Sequence, residues 1–255
     1  MKSIATLALA FMTTIATTPL SAAEDTRVFE LRTYYANPGK LADLHARFRD
    51  HTCKLFEKHG MENIGYWVPL TNTEEKLIYV LAYPSRAARD ASWKAFGADP
   101  EWQAAFKKSH ENGVLVKKAE SSFMTATDFS PAIKSDLANP ERTFELRTYT
   151  TTDKNLDRLD ARFRDHTIKL FGKYGMRNLA YWHLMPDQKD ADKTLVYLLA
   201  HKSTEAAAES FKNFRDDPEW VAARKASEEA AGGSLTTKDG VKSEFLKATD
   251  YSKTK

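Results

Sequence analysis

Two histidines raise the question of chemistry. His51 and His166 each stand in the string F-R-D-H-T, at residues 48–52 and 163–167. The chain has seven histidines, and this is the one position at which two similar stretches both carry one. An imidazole titrates near neutral pH, so either could serve as a general base or as an axial ligand to haem iron. A partly buried imidazole bonded to a backbone carbonyl or a carboxylate is the competing structural reading. Asp50 and Asp165 precede the histidines, but successive helix residues point about 100° apart, so they are not direct partners.

Glu30, Arg32 and Tyr34 form a second constellation, repeated as Glu145, Arg147 and Tyr149. Strand alternation puts each trio on one face, opposite Phe29 and Leu31 in the first stretch. If helices cover the Phe/Leu face, both trios line the space between two sheets. A carboxylate, a guanidinium and a phenol there could bind a small polar ligand or move a proton. The structural alternative is cross-strand Glu–Arg pairing that satisfies buried charge and pins the sheet register. Tyr66-Trp67 and Tyr181-Trp182 are large apolar groups with polar tips, suited to core anchoring or to stacking on a ligand. Arg47, Arg49, Arg162 and Arg164 read as solvated or salt-bridged helix faces, with a clamp for an acidic ligand as the sharper alternative.

Several chemistries lack their signatures. There is no G-x-G-x-x-G, P-loop, G-x-S-x-G or H-E-x-x-H. A transition-metal site built from one stretch would need ligands beyond its single shared histidine, so no dedicated metal site is expected. No cofactor is expected either, with haem as the residual alternative. Cys53 is the one cysteine, which removes an internal disulfide and a cysteine metal cluster; it reads as a small apolar filler.

The elements that must position these groups come from a duplication. Residues 29–68 and 144–183 align without a gap and are identical at 24 of 40 positions, the mark of repeated structural units. Residues 27–34 alternate as a strand. Asn37 and Pro38 then open a helix, as cap and first helical residue. Leu41, Leu44, Phe48, Thr52 and Leu55 share one face of it, and it runs to about His59. Met61–Leu70 is a strand, and Leu77–Tyr83 a strand apolar on both faces. A second helical region starts at Pro84-Ser85, breaks near Gly97 and restarts at Asp99-Pro100-Glu101, where Asp99 caps. A last strand lies within Ser121–Asp128. The order is strand, helix, strand, strand, helix, strand, and the second copy repeats it. Such a βαββαβ unit is ferredoxin-like, with both helices on one sheet face. The economical cover for the other face is the second unit. The fold expected is therefore α+β, two ferredoxin-like units forming an intramolecular eight-stranded barrel.

Charge and composition set further bounds. A net charge of +3 with both signs interspersed argues against a nucleic-acid surface. Lys2, the apolar run Ile4–Ile15 and Ser21-Ala22-Ala23 read as a signal peptide cleaved after Ala23. The remaining chain has no stretch suited to span a bilayer. The expected organisation is a signal peptide at 1–23, one unit at 24–129, a linker at 130–140 and a second unit at 141–255. The expected location is periplasmic or secreted.

F-E-L-R-T-Y, F-R-D-H-T-x-K-L-F-x-K-x-G-M, Y-W, D-P-E-W and T-D-F/Y-S, in that order and twice over, resemble the NIPSNAP family. The resemblance covers almost all of residues 24–255. It implies the dimeric α/β-barrel fold and carries no agreed reaction or catalytic residues. Other branches of that superfamily include cofactor-free monooxygenases, isomerases and haem enzymes, an analogy of fold alone. The reading favoured is a protein that binds a small organic molecule, in the barrel or between helix and sheet. The alternatives are a monooxygenase- or isomerase-like enzyme using His51 or His166 as base, and a non-catalytic interaction protein. A homo-oligomer is compatible with each. The first copy keeps the family's Asn-Pro-Gly-Lys helix entry at 37–40, so the better pocket is expected near His51.

Overall fold

The computed structural model describes residues 25–134 and 142–255. The signal-peptide expectation and most of the linker lie outside the described residues. The first half runs β1 (Val28–Ala36), α1 (Leu41–Arg47), a π turn (Phe48–Thr52), α2 (Cys53–Lys58), β2 (Glu62–Pro69), β3 (Lys76–Tyr83), α3 (Arg86–Ala98), α4 (Pro100–Ser109) and β4 (Val116–Ala126). The second half repeats this order. It runs β5 (Thr143–Thr151), α5 (Leu156–Arg162), a π turn (Phe163–Thr167), α6 (Ile168–Lys173), β6 (Arg177–Leu184), β7 (Thr194–His201), α7 (Thr204–Arg215), α8 (Pro218–Ala231) and β8 (Thr236–Ala248).

In the first half β1 pairs antiparallel with both β3 and β4, and β2 with β3. The second half has the same pairings. Two short cross-half ladders, β2 with β8 and β4 with β6, close all eight strands into one barrel. The α+β barrel read from the sequence is thus the observed fold.

Which face looks inward differs from the conditional reading above. Phe29 lies in the barrel interior with Trp67, Ile78, Val80, Met124, Phe144, Trp182 and Leu246. Phe29 meets Trp182 at 5.8 Å between ring centroids, and Trp67 meets Phe144 at 5.7 Å. These reciprocal pairs join the halves through apolar contact. Helices cover the opposite face, which carries Glu30, Arg32 and Tyr34. The polar trios therefore do not line the space between the sheets. The interior needs apolar groups from both halves to exclude water, whereas on the helix-covered face Arg89 and Trp93 of α3 and Tyr83 of β3 satisfy polar ones.

Helix entry also differs. The first helix begins at Leu41, not Pro38. Asn37 donates instead to the Val114 carbonyl at 2.7 Å, and Gly39 adopts φ +73. The Glu75 carboxylate then accepts from the Gly39 and Leu41 amides at 2.7 and 3.3 Å, doing the work of a cap from another loop. Asp99 caps α4 as read, accepting from the Glu101 amide at 2.8 Å with Pro100 at the first turn.

Candidate functional site

F-R-D-H-T forms a π turn in both halves. The Cys53 amide donates to the Phe48 carbonyl, five residues back. Thr52 Oγ1 donates to the Arg47 carbonyl at 3.1 Å, and Thr167 Oγ1 to the Arg162 carbonyl at 3.0 Å. A threonine five residues on thus satisfies a carbonyl at the start of the widened turn. Such π bulges are frequent at functional sites.

Around each turn lies a cavity between the helices and the sheet. The first, of about 230 Å³, is lined by Tyr34, Arg47, Phe48, Thr52, Phe56, Trp93, Phe96, Trp102, Phe106 and His110, among others. The second, of about 270 Å³, is lined by Arg147, Tyr149, Arg162, Phe163, Thr167, Phe171, Phe211, Phe214, Trp220, Arg224 and Glu228, among others. Eight corresponding lining positions keep the same kind of side chain: Tyr34 and Tyr149, Arg47 and Arg162, Phe48 and Phe163, Thr52 and Thr167, Phe56 and Phe171, Trp93 and Phe211, Phe96 and Phe214, and Trp102 and Trp220. The first wall is predominantly aromatic with few polar groups, the usual make-up of a small-molecule site, whereas the second adds Arg147, Arg215, Arg224 and Glu228 to its aromatic residues.

Arg47 and Arg162, read from the sequence as solvated or salt-bridged with an acidic-ligand clamp as the alternative, line these cavities. They are only 6 % and 8 % exposed. Burial pushes the pKa of each guanidinium down, because the charged form loses water. Their neighbours Arg49 and Arg164 do form salt bridges, to Asp250 and Asp128 of the other half, each with a contact of 2.8 Å. The missed signal was spacing. Arg47 stands three residues after the buried Leu44 and immediately before the buried Phe48, on the edge of the inward helix face.

The polar trios border these cavities as closed networks. Glu30 is wholly buried and accepts from Arg32, from Arg89 at 2.9 Å and from Tyr83 at 2.9 Å. Arg32 also donates to Tyr79 at 2.9 Å and Tyr34 at 3.3 Å, and lies 4.5 Å over Trp93. Burial raises the Glu30 pKa, but Arg89 and Arg32 outweigh it and the net shift is downward. In the second half Glu145 accepts from Arg147, Ser243 and His201, the last at 3.0 Å. His201 stands where the first half has Tyr83.

The remaining candidates separate. Tyr66 and Tyr181 pack in the helix–sheet cores, stacked on Tyr79 and Tyr197 at 5.3 and 5.2 Å. Trp67 and Trp182 turn into the barrel, their indole N–H groups buried and without acceptors. Both border a cavity of about 290 Å³ at one barrel end, with Ile133 and Arg177. His51 and His166 face neither the sheet nor the barrel. His51 lines an outer groove of about 270 Å³ with Asp43, Arg47, Asp50 and Lys108. His166 is 40 % exposed beside Glu219. Arg47 alone borders both the His51 groove and the helix–sheet cavity. No His/Cys/Asp/Glu cluster fit for a metal occurs among the described residues. No helix of the described residues is long and apolar enough to cross a membrane.

Comparison with known proteins agrees with this architecture. Solved structures of candidate monooxygenases from Fusobacterium nucleatum and Lactobacillus acidophilus NCFM match at TM-scores of 0.56 and 0.53, each with 11 % identity. They cover 88 % and 90 % of this chain and 92 % and 97 % of their own. At that identity they show the shared dimeric α/β-barrel fold alone. An uncharacterized NIPSNAP domain protein from Burkholderia xenovorans is 24 % identical, covering 41 % of this chain and 98 % of its own at a TM-score of 0.36. No curated protein matches. The NIPSNAP family model matches twice, over residues 29–131 and 144–253. With both halves of the barrel matched, the chain belongs to the NIPSNAP family.

Proposed function

We propose that this protein binds a small organic ligand in its helix–sheet cavities. The observation that carries the reading is the repeated lining: eight corresponding residues surround a void in each half, and one of them is a buried guanidinium. The voids lie just below the roughly 300–1,000 Å³ usual for ligand pockets, so the ligand is small. A base-catalysed oxygenation or isomerisation would need a base against the bound ligand. His51 and His166 line neither helix–sheet cavity, so no reaction is assigned. The likeness to candidate monooxygenases is one of fold.

Ala119 and Val241 occupy matching exposed strand positions at the two cavities. Ala119→Trp together with Val241→Trp should fill both voids and leave the barrel intact. Native mass spectrometry of protein purified gently from its own host is expected to show a retained small molecule that the double variant lacks. Retention of the same molecule by the double variant would place the ligand elsewhere and sink the proposal. The same spectrum reports processing: export predicts a chain beginning at Glu24, and an intact Met1 terminus would refute it.

A further inference from the structure

The two cavities share an aromatic wall but balance their buried guanidinium differently. Arg47 makes one long polar contact, Nη1 to Ser109 Oγ at 3.3 Å, and its Nε–H has no acceptor; Arg162 matches it in both, with Ser227 Oγ at 3.3 Å, so the difference lies in the counter-ion. Among the described residues no carboxylate forms an ion pair with it. Asp43 and Asp50 border the outer groove onto which Arg47 also opens, but Asp43 pairs with Lys40 at 3.4 Å. The compensation Arg47 has comes from the faces of Trp102 and Phe106, at 5.3 and 5.6 Å. A buried charge without a counter-ion is costly. A bound anion would offset that cost.

In the second half Glu228, within α8, takes the position of His110, the residue that closes α4 in the first. Its carboxylate lies 3.9 Å from Arg162 Nη1 and 3.0 Å from Arg224 Nε. That cavity therefore carries its own anion. Arg215 and Arg224 stand exposed at its mouth, where water and salt screen them.

We propose that the first-half cavity is the primary site and that its ligand is an organic carboxylate with an aromatic or apolar body, its head held by Arg47. This rests on the reading that the helix–sheet cavities bind ligand. The planar fork of a guanidinium matches two carboxylate oxygens. Few other polar groups remain to hold more. The Tyr34 hydroxyl accepts from Arg32 and has a single hydrogen to give, and the Thr52 hydroxyl is committed to a backbone carbonyl. His110 Nδ1 sits 2.7 Å from the Phe106 carbonyl. The further oxygens of a phosphate would go unmatched. Glu228 competes for Arg162, so the second cavity fills later.

Isothermal titration of the full chain with phenylacetate, phenylacetamide and phenyl phosphate tests this. Phenylacetate should fill one site per chain first, about tenfold or more tighter than the amide, the value of a charge-assisted hydrogen bond. Arg47→Met should abolish that step, Arg162→Met should leave it, and Glu228→Gln should tighten the second. Exchanging an unpaired buried charge for an apolar side chain should keep or raise the melting temperature. Should Arg47→Met nonetheless fail to fold, Arg47→Lys, which keeps the charge and loses the fork, should still weaken phenylacetate. Three outcomes in which a probe binds would overturn the proposal. They are loss of the tight step with Arg162→Met instead of Arg47→Met, tighter binding of phenyl phosphate, and equal binding of acid and amide. The last would leave the cavity reading standing, whereas no binding of any probe would overturn both.

Discussion

Glu30 and Glu145 are almost wholly removed from water, and each is held by an arginine two residues along its own strand. The sequence showed the Glu–Arg partnership but suggested it across strands. The i, i+2 spacing on one face makes the same-strand pair geometrically available, and α3 adds Arg89 from outside. The second half reaches the same end differently, with His201 and Ser243 replacing Tyr83 and Arg89. Both carboxyls are held below their ordinary value of 4.5. A lowered folded pKa means that the charged form favours the fold. Its contribution is complete above pH 4.5 and is lost as the pH falls through 4.5 toward the folded values. Glu30→Gln and Glu145→Gln should each cost about 3 kcal/mol near neutral pH by stranding a buried arginine. The variants' stability should also fall less steeply in acid. Denaturant unfolding at pH 7 and pH 4 checks both. A variant as stable as its parent at pH 7 would show the network to be dispensable.

At the scale of elements, hydrophobic periodicity correctly put Leu44, Phe48, Thr52 and Leu55 on the buried face of the first helix. It did not reveal the π turn, because one extra residue in a turn leaves local composition unchanged. What gives the turn away is Thr52 bonding the Arg47 carbonyl, a contact visible only with coordinates. Thr52→Val keeps the shape and removes that donor. It should destabilise by about 1 kcal/mol, the net value of one hydrogen bond, and Thr167→Val likewise. Chemical denaturation reads the loss, and an unchanged midpoint for both would show that the hydroxyls do not hold the turns. The Asp99 cap was legible because cap, proline and acid are adjacent in sequence. The Asn37 cap was misplaced because its function passed to Glu75, which is distant in sequence.

For the whole molecule, T-D-F-S and T-D-Y-S have a role that no single half explains. Phe129 leaves β4 and packs on Tyr181 of the other half at 5.7 Å, and Tyr251 leaves β8 and packs on Tyr66 at 5.4 Å. Ser130 and Ser252 accept from the Tyr181 and Tyr66 amides at 3.0 and 2.9 Å. Each half thus clasps the other beside its π turn. Separately expressed halves, cut at residue 134, would expose the apolar face bearing Phe29, Trp67, Phe144 and Trp182. They should aggregate or pair, whereas the intact chain should unfold in one calorimetric transition. A half that stays folded and monomeric in gel filtration would contradict this. The sequence by itself determined the duplication, the element order and the barrel class, because these follow from local periodicity and from repeated residues. The tertiary structure alone decided which sheet face turns inward, where Arg47 and Arg162 lie, and that the shared histidines stand outside the cavities. Those outcomes depend on the competition of two helix layers and a second sheet for the same faces, a contest that no stretch of sequence contains.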